Sequence, residues 1–282
     1  INAQPGLFGQ EPFKSNQNLF NFWYIDQINN CGDPSTNCTQ QAQQYYTYCN
    51  YPHTYYFRFF DSNAPGGWSA NPNNANVSGV WAFTPRLPYN LIRQERFYVL
   101  HEFGHTFTSP NLNPAKLGIL LDEYGGQFSY PNYDYILRQG PWTGKIFPNV
   151  FLDTNATAIE DCKQQAPWKD LIGNGCGQDG IEDCIQSYTP HQISPTQYEQ
   201  ITCKPEHPDC YKEISCFEAG LGYWKGVFRP SFRSIMNSSY RDSPAVSNLE
   251  VGYNLASQRH FCNIFKAEIG TCTGTCTNLI AC

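Results

Sequence analysis

Residues 91–107 read LIRQERFYVLHEFGHTF, a proline-free run in which His-Glu-Phe-Gly-His fills positions 101–105. Asn90 precedes the run and is a residue type that caps helix N-termini, whereas Pro110 follows it and stops a helix. Apolar residues recur at helical spacing on one face, at Leu100, Phe103 and Phe107. The stretch therefore predicts one long helix whose apolar stripe lies beside two histidines.

On such a helix His101 and His105 lie one turn apart on the same face, so both imidazoles can reach one metal ion. Zn²⁺ accepts imidazole nitrogens at about 2.0–2.1 Å and lowers the pKa of a bound water toward about 7. Glu102 is adjacent, where a carboxylate can take the proton of that water and return it to a leaving amine. The pattern predicts a zinc peptidase with Glu102 as general base.

The alternative is an accidental pair of histidines on a helix surface or in the core. The chain has only 6 His in 282 residues. At its composition the His-Glu-x-x-His pattern is expected about 0.005 times by chance. Metal binding is therefore the favoured interpretation.

Composition excludes several other classes of protein. Hydrophobic residues make up 40% of the chain and aromatic residues 16%, enough for a sizeable core. The net charge is −6, with 15% charged residues and no Lys/Arg cluster, so no nucleic-acid partner is expected. No run of 18 apolar residues is present, so we expect no membrane span.

Thirteen cysteines predict disulfide bonds and hence an oxidising, extracellular compartment. They are Cys31, Cys38, Cys49, Cys162, Cys176, Cys184, Cys203, Cys210, Cys216, Cys262, Cys272, Cys276 and Cys282. The alternative is a second zinc site, but the chain has no Cys-x-x-Cys pair, and Cys272 with Cys276 has no matching histidine-rich partner. The odd number leaves one thiol over, and Cys282 could mediate self-association.

Four Asn-x-Ser/Thr sequons agree with a secreted glycoprotein. They begin at Asn37, Asn76, Asn155 and Asn237. The chain starts at Ile1 without methionine, as a mature protein does after removal of its signal peptide and as a fragment also does. Secretion is the localisation that these features predict.

Strand-like runs come first, and the long helix follows them. The runs are Phe20 to Ile28, Tyr55 to Phe60 and Val77 to Phe83. We expect an α/β (α+β) N-terminal subdomain, residues 1–108, with a twisted mixed sheet behind the helix. Residues 109–282 predict a loop-rich, disulfide-stapled C-terminal subdomain of the same single domain. Helices are expected there over Pro167 to Ile172, Pro195 to Ile201 and Leu249 to Phe261.

Met236 is the only methionine and lies in Ser-Ile-Met, about 130 residues after the histidine motif. A lone methionine usually fills a gap in the core. In metzincins a tight turn with methionine passes beneath the zinc ligands, and Ser-Ile-Met is similar to that turn. We favour the Met-turn because the chain uses methionine nowhere else.

Together these features resemble the IgA-peptidase family of metzincin-type zinc metallopeptidases. The specific matches are the helix motif at residues 99–105 and Leu-Asp-Glu-Tyr at residues 121–124. Shorter matches are Glu11-Pro12-Phe13-Lys14, Asn18-Leu19-Phe20-Asn21, Pro148-Asn149, Pro167-Trp168-Lys169, Phe217-Glu218-Ala219 and Gly226-Val227-Phe228-Arg229-Pro230. They run from about residue 11 to residue 262. The resemblance implies a zincin or metzincin-like catalytic domain.

The resemblance also implies a third zinc ligand from the Asp-Glu-Tyr box, which is Asp122 here. The family has a glycine where this chain has Thr108, and it places its aspartate much closer to the second histidine. Here 16 residues separate His105 from Asp122. A longer loop is tolerable, because doubling its length costs about 0.6 kcal/mol in closure entropy. Glu123 is the adjacent competitor, and the further alternatives are His191, His207 and His260.

The sequence accordingly predicts a secreted zinc endopeptidase acting on a peptide or protein substrate. An exposed strand, Val77 to Phe83, would align the extended peptide, and Tyr240 or Tyr124 would donate to the oxyanion. The alternative is a non-catalytic extracellular structural subunit, a glycosylated coat or filament on a peptidase fold. The aromatic, Asn/Gln-rich composition and the inserted loop favour that alternative, whereas the intact Glu102 favours the enzyme.

Overall fold

The structure is a computed structural model, and it describes fourteen segments of the chain. These are residues 7–20, 55–61, 66–70, 78–84, 92–108, 118–123, 147–152, 159–172, 191–194, 197–199, 214–221, 223–231, 234–237 and 252–272. The chain divides into two compact units. We call residues 16–107 the N-terminal unit, and residues 1–15 with 108–282 the C-terminal unit.

The N-terminal unit contains a mixed three-stranded sheet. Its strands are β1 (Tyr55–Asp61), β2 (Gly66–Ala70) and β3 (Ser78–Thr84), in the order β1-β3-β2. β3 runs parallel to β1 and antiparallel to β2. The strands predicted over Tyr55 to Phe60 and Val77 to Phe83 are therefore confirmed. The strand predicted over Phe20 to Ile28 lies outside the described residues except for Phe20, which is not in a strand.

The position of β3 corrects the role expected for Val77 to Phe83. β3 is the middle strand, and Val80 has Phe57 of β1 on one side and Ser69 of β2 on the other. A strand that is paired on both sides has no free row of N–H and C=O groups for an added peptide. This segment therefore does not align a substrate by strand addition.

The predicted helix is present as α1 (Ile92–Phe107), which packs against β2 and β3. Its second half is buried almost all round, including Leu100, Glu102, Phe103, Thr106 and Phe107. The rings of Phe103 and Phe107 lie 5.3 Å apart, and that of Phe107 lies 6.4 Å from Phe20. Because burial on all sides restricts rotation and tilt, α1 is a firm support for its polar side chains.

In its described residues the C-terminal unit combines small antiparallel sheets with two helices. One sheet has the order β4-β8-β7, and β5 pairs with β6. The strands are β4 (Phe151–Leu152), β5 (His191–Ser194), β6 (Gln197–Glu199), β7 (Phe217–Gly220) and β8 (Tyr223–Arg229). The helices are α2 (Ile159–Gln165) and α3 (Leu255–Ile269). Single 3₁₀ turns occupy Leu7–Gly9 and Lys169–Leu171 here, and Gln17–Leu19 in the N-terminal unit.

The helix expected over Pro195 to Ile201 is wrong. Gln197–Glu199 is strand β6, which pairs antiparallel with β5, and Tyr198 lies opposite Gln192. The partner strand supplies the hydrogen bonds that a helix would have made internally. The helix expected over Pro167 to Ile172 is reduced to the 3₁₀ turn Lys169–Leu171.

The helix predicted over Leu249 to Phe261 begins and ends later, as α3. Asn254 sets its start, because the side chain accepts a hydrogen bond from the main-chain N of Ser257 at 2.9 Å. Such a cap contributes about 1 kcal/mol. Gly270 sets its end with a left-handed φ of 76°, a conformation that glycine adopts without strain.

Two disulfide bonds stabilise the C-terminal unit. Cys162–Cys216 closes 54 residues and lies in a buried cluster around Trp168, whose indole N–H donates to the Ser215 carbonyl. A loop of that length predicts a stabilisation of about 4 kcal/mol. Cys262–Cys272 spans the end of α3. Disulfide bonding is thus confirmed for these four cysteines, and it removes Cys272 as a zinc ligand. The other nine cysteines lie outside the described residues.

The C-terminal unit includes the start of the chain. Phe13 is fully buried, and its ring lies 4.8 Å from that of Phe261 and 5.9 Å from that of Phe265, both on α3. Tyr253 completes this aromatic group. Among the described helices, none is long and apolar enough to cross a membrane.

Candidate metal centre

Two histidines of α1 form the starting point of the site. The Nε2 atoms of His101 and His105 lie 3.2 Å apart, and their ring planes meet at 85°. Two nitrogens held at about 2.0–2.1 Å by a tetrahedral ion are about 3.3 Å apart. A hydrogen bond between the rings has a similar length, so the pair alone fits either an ion or a shared proton. A further ligand is needed to distinguish them.

Asp122 is the candidate for that ligand. One ligand atom each of His101, His105 and Asp122 lie within 4.8 Å of one another. Two imidazoles and one carboxylate are a donor set that zinc uses in catalytic sites, with one position left open. His101 is buried, whereas the other two are half-buried. This group could hold a metal ion.

Glu102, the predicted base, follows His101 directly on α1. At 3.6 residues per turn, its Cα lies about 100° round the helix from His101 and about 60° from His105. Only 8% of the Glu102 surface is exposed. Glu102 is therefore a buried carboxylate next in sequence to His101 on this helix.

Thr108 shows how the long insertion returns to the aspartate. It follows α1 directly, is fully buried, and its Oγ1 accepts a hydrogen bond from the main-chain N of Leu120 at 2.8 Å. This bond joins the two ends of the insertion at its base. The glycine that the family pattern places here has no hydroxyl to do so.

Glu123, the competing third ligand, is directed elsewhere. It is 0% exposed, and its carboxylate accepts hydrogen bonds from Asn149, Ser234 and Asn254. Burial raises the pKa of Glu123, while those hydrogen bonds and the charge of Arg229 oppose the rise. Glu123 does not belong to the His101, His105 and Asp122 group. Its role is structural.

Of the other alternative histidines, His260 is bonded elsewhere in the part of the chain that the structure describes. His260 is buried on α3, and its Nε2 donates to the Gly118 carbonyl at 2.8 Å. Burial lowers its pKa to about 4, so the ring is neutral at pH 7. His191 lies in β5, whereas His207 lies outside the described residues.

The low pKa of His260 makes the free energy of unfolding depend on pH. Between pH 6.5 and about 4 the unfolded ring takes up a proton that the folded ring does not, so stability falls as the pH falls across that window. At about 1.4 kcal/mol per pKa unit, the full loss is about 3 kcal/mol. Urea denaturation of the wild type and His260→Gln from pH 7 to pH 4 measures it. Glutamine can still donate to Gly118 but does not titrate. Equal pH slopes for the two proteins would contradict the assignment.

Met236 lies in a buried turn over residues 234–237. The main-chain N of Asn237 donates to the Ser234 carbonyl and to its hydroxyl, both at 3.1 Å. The Met236 carbonyl accepts from the main-chain N of Glu123 at 2.8 Å. The methionine turn is thus bound to the segment that carries Asp122.

Several predicted residues lie outside the described part of the chain. They are Tyr124, Tyr240, Asn37, Asn76 and Asn155. Asn237 is described, and only 6% of it is exposed. A glycan needs an exposed attachment point, so burial of Asn237 disfavours glycosylation at this residue.

The chain matches no protein-family model and no curated protein. Its similarity to the IgA-peptidase family is therefore carried by the helix motif at residues 99–105 and by the box at residues 121–124. Membership in that family is accordingly a proposal.

Proposed function

We propose that this chain is a zinc-dependent endopeptidase of the metzincin type, related to the IgA-peptidase family. The observation that carries the proposal is the group of His101, His105 and Asp122, whose ligand atoms lie within 4.8 Å of one another. Glu102 adds a carboxylate next to the first of these ligands. A metal site with an adjacent base is what the hydrolysis of a peptide bond needs.

The same donor set also suits a second metal. Two histidines and one carboxylate also hold Fe(II) in non-haem oxygenases. Such a site does not need a base between its histidine ligands, whereas a zinc hydrolase does. Glu102 therefore favours zinc and hydrolysis over iron and oxidation.

Each side chain of the site has its own role in the proposed reaction. Zinc, when bound, polarises the scissile carbonyl and makes water acidic enough to be deprotonated near neutral pH. Glu102 accepts the proton of the attacking water and then donates it to the leaving amine. His101 and His105 would hold the ion through their imidazoles, and Asp122 would contribute one negative charge. Because His105 and Asp122 are half-buried, substrate and water have access to this side of the group.

We also propose that the peptidase acts outside the cell. The disulfides Cys162–Cys216 and Cys262–Cys272 form in oxidising compartments and are rare in the cytosol of mesophiles. The remaining sequons, at Asn37, Asn76 and Asn155, agree with that location. Outside the cell, a secreted peptidase would also meet protein substrates.

Cleavage of a random peptide library tests the proposed function. We expect cleavage by the zinc-loaded protein, its loss on chelation, and its return when one equivalent of Zn²⁺ is added. The library reports on hydrolysis without knowledge of the natural substrate. Bound zinc with no cleavage at any pH from 5 to 9 would contradict the enzymatic function. It would favour the non-catalytic structural subunit instead.

Asp122→Ala should lower zinc affinity by more than about 100-fold, because it removes one of three protein ligands. Competition with a chromophoric chelator measures the affinity. Asp170→Ala is the matched control, since Asp170 lies in the same unit but is exposed and pairs with Arg259. Unchanged affinity in Asp122→Ala, or an equal loss in Asp170→Ala, would remove Asp122 from the site.

A further inference from the structure

Glu123, next to the metal ligand, has every polar atom bonded within the C-terminal unit. Its main-chain N donates to the Met236 carbonyl at 2.8 Å, and its main-chain O accepts from Arg229 Nη1 at 2.9 Å. Oε1 accepts from Asn149 and Asn254, and Oε2 from Ser234 and Asn254. We call Glu123 with Asn149, Arg229, Ser234 and Asn254 the Glu123 network.

The partners of the carboxylate are placed to donate to it. The Oδ1 of Asn149 accepts from the main-chain N of Leu121, and the Oδ1 of Asn254 accepts from that of Ser257, so each Nδ2 faces Glu123. The hydroxyl of Ser234 accepts from the main-chain N of Asn237, which leaves its proton for Glu123. Only an acceptor fits among these donors, and a carboxylate is the side chain with two accepting oxygens.

The network joins segments that are far apart along the chain. Its members lie before β4, at the end of β8, in the methionine turn and at the N-cap of α3. Asn149, Ser234 and Asn254 are 26, 111 and 131 residues from Glu123. Glu123 therefore binds four segments, three through its carboxylate and one through its main-chain carbonyl.

The same contacts hold the main chain on both sides of Asp122. The Asn149 side chain bonds both the N and the O of Leu121, at 2.9 and 2.8 Å. The Asp122 carbonyl accepts from the main-chain N of Leu221 at 3.0 Å. Leu121 and Glu123 are buried, whereas Asp122 between them is half-buried. The direction in which the Asp122 side chain leaves the backbone is thus set by its two neighbours.

We propose that Glu123 is a positioning residue for the metal ligand, and that its network holds Asp122 where it can bind the ion. The inference rests on the proposed function, because it assumes the zinc site. With 16 residues between His105 and Asp122, the chain itself does not fix the third ligand. The Glu123 network supplies that restraint from the other side of Asp122. Residues that orient ligands contribute to metal affinity in this way.

Glu123→Gln tests the inference with nearly unchanged shape. The glutamine amide places N–H groups against Asn and Ser donors, so the network loses at least one bond. We expect zinc affinity, measured by chelator competition, to fall by about 10–100-fold. The absorption bands of the Co²⁺-loaded protein should also shift, because they report the geometry around the ion. Leu171→Ala, in the separate cluster around Trp168, controls for loss of stability alone and should leave both signals unchanged.

The double variant Asp122→Ala/Glu123→Gln shows whether Glu123 acts through Asp122. If it does, the double variant binds zinc no more weakly than Asp122→Ala. Should Glu123→Gln fail to fold, Ser234→Ala removes a single donor from the network and is expected to weaken zinc binding severalfold. The fall in zinc affinity caused by Ser234→Ala should likewise disappear when Asp122→Ala is also present.

The outcomes separate this inference from the proposed function. Wild-type zinc affinity in Glu123→Gln would overturn the positioning role. So would a loss of zinc affinity in Glu123→Gln that adds in full to the loss in Asp122→Ala. Either result would leave the zinc site itself unaffected. An equal loss of zinc affinity in Leu171→Ala would reduce the effect to stability and also overturn it. Failure of the wild type to bind Zn²⁺ or Co²⁺ would overturn both.

Discussion

Replacing Glu102 with glutamine lowers kcat/KM for peptide hydrolysis by about 10²–10⁴-fold, the usual contribution of a general base. The amide has nearly the same shape but cannot accept the proton of the attacking water. Zinc content should stay at about one per chain, because His101, His105 and Asp122 are unchanged. Hydrolysis of a cleaved library peptide, measured beside elemental analysis of the same sample, gives both quantities.

Glu160→Gln is the matched control for this variant. Glu160 lies on α2, its side chain is 64% exposed, and it pairs only with the neighbouring Lys163 in the contacts described. Its substitution should leave kcat/KM unchanged. Wild-type rates in Glu102→Gln would remove Glu102 as the base, and loss of zinc together with activity would make it a ligand or a structural residue.

His101→Ala and His105→Ala each lower zinc affinity by more than about 100-fold and abolish hydrolysis. Each change removes one of the two Nε2 atoms that lie 3.2 Å apart, and two protein ligands hold zinc far more weakly than three. Chelator competition measures the affinity. Thermal unfolding of the metal-free variants should be close to that of the metal-free wild type, whereas added zinc should stabilise only the wild type.

His191→Ala and His260→Gln separate the ligand histidines from the others. Both should retain zinc, since His260 is bonded to the Gly118 carbonyl and the proposed ligands are His101, His105 and Asp122. Full zinc in His101→Ala and His105→Ala would place the metal elsewhere. Loss of zinc in His191→Ala would instead identify a ligand distant in sequence.

Local patterns were enough to predict the helix that carries the two histidines and two strands of the same unit. The spacing of Leu100, Phe103 and Phe107 predicts α1, and the proline-free run sets its length. The aromatic and β-branched runs predict β1 and β3. These signals are local because helix and strand periodicity depend on which face of one element is buried.

The position of a strand in its sheet is not a local property. β3 reads like any other strand, and only its pairing with both β1 and β2 shows that it has no free edge. The hairpin of β5 and β6 likewise depends on a partner that the segment at Pro195 to Ile201 does not contain. Sequence patterns therefore predicted an exposed strand and a helix at places where tertiary pairing decides otherwise.

The neighbouring carboxylates Asp122 and Glu123 could not be told apart by residue type, since zinc accepts either. Their roles differ because Asn149, Ser234 and Asn254 meet at Glu123 from distant parts of the chain. Asn149 and Arg229 did occur in the short matches to the IgA-peptidase family. Their contacts with Glu123 now give those two residues a physical role.

The metal content of the purified full chain tests the central claim most directly. Elemental analysis of wild-type protein, isolated without chelators, should find about one zinc per chain, and His101→Ala prepared in parallel should contain almost none. Less than about a tenth of an equivalent of zinc in the wild type, even after incubation with Zn²⁺ and dialysis, would contradict the account, as would iron in its place.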